Sequence, residues 1–75
     1  MKTAAQINAE RFVKTLVEKN QPLEGFVFEA WTSKRTGHRW FSVIAGKESE
    51  SYIATEGETM DAFQSAVAVA VMQAS

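Results

Sequence analysis

A two-layer α+β fold in the order α-β-β-β-α, with both helices packed on one face of a three-stranded antiparallel sheet, follows from three patterns in this chain. Apolar residues recur at helical spacing near its start. Two runs rich in β-branched and aromatic residues flank a turn that contains glycine. The final stretch from Ala62 to Ser75, AFQSAVAVAVMQAS, is alanine-rich, uncharged and preceded by a threonine suited to cap a helix.

The first helix is expected over residues 3–20. Ala5, Ala9, Phe12, Val13, Leu16 and Val17 fall on one stripe, with Arg11, Lys14 and Glu18 opposite and Ile7 out of phase on the charged side. Glu10 with Lys14 and Lys14 with Glu18 are i, i+4 pairs, each contributing roughly 0.2–0.5 kcal/mol. Asn20 can end the helix in a left-handed conformation, and Pro22 keeps it from resuming.

Strands are expected at Leu23 to Ser33 and Arg39 to Ala45, joined by the turn Lys34-Arg35-Thr36-Gly37. A second turn spans Gly46 to Glu50, and Ser51 to Thr55 forms a short third strand that Glu56-Gly57 breaks. Thr59 then caps the last helix, with Asp61 facing the positive end of its dipole. The Ala/Val alternation from Ala66 to Val71 also suits a strand. Alanine is the best helix former and a poor strand residue, so the helix reading prevails.

Pairing Ser33 with His38 sets Trp31 opposite Trp40, Val27 opposite Ile44, Phe28 opposite Val43 and Ala30 opposite Phe41. Pairing Ala45 with Ser51 adds Ile53 to the face of Val43 and Tyr52 to that of Ile44. One face then carries Phe26, Phe28, Ala30, Phe41, Val43 and Ile53, a core for two helices. The other carries Val27, Trp31, Trp40, Ile44 and Tyr52, with Glu29 and Ser42 among them. Two helices cover one face only, so the second is expected to be open. Apolar patches with Trp and Tyr mark contact surfaces, although cross-strand aromatic pairs also stabilise a sheet by ~0.2–1 kcal/mol for their own sake.

Composition narrows the function. A single domain over residues 1–75 buries only about 60% of its unfolded surface and needs a further source of stability. With no cysteine and only His38 as histidine, disulfides are excluded and most zinc sites removed, which leaves oligomerisation, expected as a homodimer. Eight Lys and Arg against nine Asp and Glu give a net charge of −1, neither a basic nucleic-acid binder nor an acidic mimic. Met1 to Ala9 has no signal-peptide core, and the uncharged last segment is shorter than the roughly 20 residues that span a bilayer. The expectation is a cytoplasmic protein without membrane contact or cofactor.

His38 beside Glu29 or Glu56, with Ser42 near, does not define a triad by spacing, and a thin domain offers little water-excluding volume. The chain is therefore expected to be non-enzymatic. Glu48, Ser49 and Glu50 in the second turn could touch a hard cation, but turn carboxylates are more simply solvated. No phosphate-cradling glycine loop is present. Lys34, Arg35, His38 and Arg39 form the most basic stretch and are the candidates for contact with an anion or nucleic acid.

Gly37-His38 leading into Phe41 and Val43, within the α-β-β-β-α order, resembles the Gly-Pro-x-His loop and Phe-x-Val strand of the double-stranded RNA-binding domain. The alanine-rich last helix is similar in texture. The resemblance implies that fold, with RNA contacts from the first helix, the loop between the first two strands and the start of the last helix. That family opens its last helix with lysines, whereas Glu58-Thr59-Met60-Asp61-Ala62-Phe63 places two acids there. Acids repel phosphates, so the resemblance supports the fold and not the activity.

These residues lead us to expect a small protein-binding module. It would regulate or inhibit a larger partner, as stand-alone proteins of this size commonly do, and would self-associate; its size alone suits a viral or mobile-element origin. Nucleic-acid binding on the related scaffold is the alternative.

Overall fold

Helix α1 (Ala4–Glu18) opens on a reciprocal cap in the computed structural model, which describes all of Met1–Ser75. The Thr3 hydroxyl accepts from the Gln6 amide at 3.2 Å, and the Gln6 side-chain oxygen accepts from the Thr3 amide at 2.8 Å. Two donors without helical partners are thereby satisfied. Asn20, at φ 54°, takes the left-handed conformation just beyond the helix. Ala5, Ala9, Phe12, Val13 and Leu16 are buried, as their spacing requires. Val17 instead lies in a shallow groove beside the end of the last helix and stays exposed.

Strands β1 (Val27–Thr32), β2 (Arg39–Ala45) and β3 (Glu48–Ile53) form one antiparallel sheet in the order β1-β2-β3. Helix α2 (Met60–Ala74) follows, its N-terminus closed by the Thr59 hydroxyl accepting from the Ala62 amide at 3.1 Å. The alternating Ala/Val run is helical. Element order and sheet topology match the double-stranded RNA-binding-domain-like topology. No helix is long and apolar enough to cross a membrane.

The first hairpin has the register expected, with Val27 opposite Ile44 and Trp31 opposite Trp40. The second does not. Ala45 pairs with Glu48, not Ser51, because Gly46 (φ 61°) and Lys47 alone make the turn. Glycine at the first of two loop positions is a favoured hairpin closure. The partner moves from Ser51 to Glu48, an odd number of residues, and an odd shift exchanges the faces of a strand. Ile53 therefore sits beside Trp40 on the open face, and Tyr52 sits opposite Phe41 on the helix-covered face.

The core closes between the layers. Phe41, Val43 and Ala45 of β2 meet Phe12, Val13 and Leu16 of α1 and Phe63, Val67 and Ala70 of α2. Phe63 is the hub, with ring centroids 5.8 Å from Phe28, 6.2 Å from Phe41 and 5.2 Å from Tyr52. No residue of β1 or β3 is in the fully buried cluster. Ala30, assigned to the core face by alternation, is exposed because the helices do not extend over that part of the sheet edge.

Candidate interaction surface

The uncovered sheet face is built in rows across the strands. Trp31, Trp40 and Ile53 form one row, Glu29, Ser42 and Ser51 the next, and Val27, Ile44 and Ser49 the third. Trp31 and Trp40 stack with centroids 6.0 Å apart and planes 7° from parallel. Trp31 is 42% exposed, Val27 52% and Ile53 45%, so large apolar groups face solvent at both ends of the face. Ser42 is buried beneath its neighbours, its hydroxyl 2.6 Å from that of Ser51. Glu29 is the only charged residue in the three rows.

Of the surface residues expected from sequence, Val27, Trp31, Trp40 and Ile44 are together on this face, and Tyr52 is not. Ile53 takes the position assigned to it. The Tyr52 hydroxyl is buried without a hydrogen-bond partner. Burial first, then the charge of the neighbouring Glu58 carboxylate and its pull on the phenol proton as an acceptor, then the charge of Glu50, push its phenol above the ordinary tyrosine range, although the two groups fall short of hydrogen-bond geometry. The Glu58 carboxylate itself accepts from the Thr55 amide at 3.2 Å.

The hairpin tip borders the tryptophan row. Gly37, at φ 77°, lets its amide reach the Ser33 carbonyl at 2.8 Å, while the Ser33 amide bonds the His38 carbonyl at 2.9 Å. Lys34, Arg35 and His38 on this loop and Arg39 at the start of β2 are all exposed, and none forms a salt bridge. At the opposite corner of the family resemblance, the start of α2 carries Asp61 in its first turn and no cation.

Glu48 and Glu50 belong to β3 and not to a turn. Lys19 bonds both Glu48 oxygens, at 3.1 and 3.2 Å. Glu50 faces the helix layer, where burial raises its carboxyl above the usual range and the Arg11 charge partly offsets the effect. No group of three or more His, Cys, Asp or Glu side chains is placed to hold a metal ion.

A groove of about 860 Å³ runs between α1 and α2, with Ala5, Ala62, Ala66, Val69 and Ala70 along it. The outer side of α2 is open. Gln64, Ser65 and Ala68 are exposed, and Met72 is 74% exposed. No protein-family profile, curated protein or solved structure matches this chain.

Proposed function

We propose that this protein is a small, self-associating binding module that regulates or inhibits a larger protein, and that the larger protein seats on the open sheet face around Trp31 and Trp40. The observation that carries this reading is the stacked tryptophan pair on a face that neither helix covers, flanked by exposed Val27 and Ile53. A large apolar surface left to solvent is a cost to the isolated chain that a partner removes. Binding energy concentrates in such central aromatics, often ~2 kcal/mol or more per residue. Lys34, Arg35, His38 and Arg39 at the rim suit an acidic border on the partner and would speed encounter.

The test compares three tagged forms used as bait in the native cell: wild type, Trp40→Glu, and a triple alanine variant at Lys34, Arg35 and Arg39. Circular dichroism first establishes that each form is folded. Trp40→Glu is expected to weaken capture by about thirtyfold or more, and the triple variant only modestly. If the triple variant alone loses binding, with a steep salt dependence, the reading gives way to nucleic-acid recognition through the loop.

A further inference from the structure

We infer that a second copy of this chain pairs with the free edge of β1, antiparallel across a twofold axis at Ala30, to make one continuous sheet from two. This deepens the self-association in the proposed function and rests on it; pairing along β1 joins the open faces of the two copies edge to edge and leaves the Trp31–Trp40 stack uncovered.

The two edges of the sheet are unlike. The β3 edge carries Glu48, Ser49, Glu50 and Ser51, and Lys19 of the α1 terminus is tied to Glu48. Charges and short polar residues of that kind block strand addition. The β1 edge reads Val27-Phe28-Glu29-Ala30-Trp31-Thr32, with one charge, and all of it but Phe28 is exposed. It has the apolar, β-prone character that natural edges avoid unless something pairs with them.

The ladder fixes which groups are free. The Ser33 amide bonds the His38 carbonyl, so by alternation Trp31, Glu29 and Val27 direct their backbone groups to β2. Phe28, Ala30 and Thr32 aim their amides and carbonyls outward. A twofold antiparallel pair places same-face residues opposite one another, so the axis must fall on a residue. An axis at Glu29 would set two carboxylates face to face, which is unfavourable. An axis at Ala30 sets Phe28 opposite Thr32 of the second copy, Trp31 opposite its Glu29, and Ala30 opposite itself. Every outward amide and carbonyl then finds a partner.

Charge supports a second copy as the occupant. Glu24 and Glu29 lie before the axis, and Lys34 and Arg35 lie beyond the end of the strand. None of the four forms a salt bridge within the chain. Antiparallel pairing about Ala30 brings the basic tip of each copy alongside the Glu24 segment of the other. The strand is complementary to itself when reversed.

Light scattering on the wild type, Ala30→Pro and Ala30→Lys tests the pairing, together with amide exchange read residue by residue. Proline at position 30 removes an outward amide and no β1–β2 bond, and lysine there sets like charges across the axis. The wild type is expected at twice the chain mass, and both variants should raise the dissociation constant about tenfold or more with unchanged circular dichroism. In the wild-type dimer the amides of Phe28, Ala30 and Thr32 should exchange slowly, and fast on dilution. A wild type that remains monomeric at high micromolar concentration overturns the inference, as does a dimer in which those amides exchange fast or which survives both variants. Should Ala30→Pro unfold, the lysine variant and the wild-type exchange pattern decide. A monomer whose partner capture still depends on Trp40 sinks the edge pairing alone. A dimer with protected edge amides whose capture ignores Trp40 sinks the open-face reading alone.

Discussion

Phe63 is where the two layers close, 1% exposed and in ring contact with Phe28, Phe41 and Tyr52. Truncating it to alanine removes the centre of the aromatic cluster, and such deletions cost ~3–5 kcal/mol. Small domains have total stabilities near the low end of ~5–15 kcal/mol, so Phe63→Ala is expected to be largely unfolded by circular dichroism at room temperature. Tyr52 gives the opposite prediction. Its ring fills the core but its hydroxyl is buried without a partner, and an unsatisfied buried group costs ~1–3 kcal/mol. Tyr52→Phe should raise the urea midpoint, by about 1 kcal/mol of stability. A lower midpoint would show that the hydroxyl does have a partner in solution.

Between α1 and β3, Glu50 makes stability depend on pH. Burial raises its carboxyl in the folded chain, with Arg11 opposing. The folded state therefore holds this proton at pH values where the unfolded chain has released it. Its contribution is full below the unfolded-state value and is lost as pH rises through the folded one. Glu50→Gln should flatten that slope and raise the melting midpoint near neutral pH, as scans from about pH 4 to about pH 7 would show. The same strand shows where the chain is hard to read. The first hairpin was legible because aromatic and β-branched residues bound a loop ending in Gly37, and its register placed Val27, Trp31, Trp40 and Ile44 correctly. In the second hairpin, Glu48-Ser49-Glu50-Ser51 has turn-like composition and low strand propensity. Those residues are strand because the tight Gly46-Lys47 closure imposes pairing with β2 and because an edge tolerates charge. Composition alone therefore puts Tyr52 and Ile53 on each other's faces, and only the tight turn reverses them.

The whole molecule is a slab 36 × 29 × 16 Å, thin enough that one helix layer on one sheet leaves the opposite sheet face as surface. That much was legible from counting elements, since two helices cannot cover both sides of a sheet. The exposure of β1 was not, because it depends on how far the helices reach across the strands, which no local pattern encodes. The difference between the two edges also limits how large an assembly can grow. A sheet with two similar edges offers a fresh docking strand after each addition, and polymerisation runs on toward a fibre. If β1 pairs as proposed, the one permissive strand is consumed and Glu48 and Glu50 of β3 are left on both outer margins. Under the proposed pairing, growth would end after a single addition, with no fresh strand left to seed a filament.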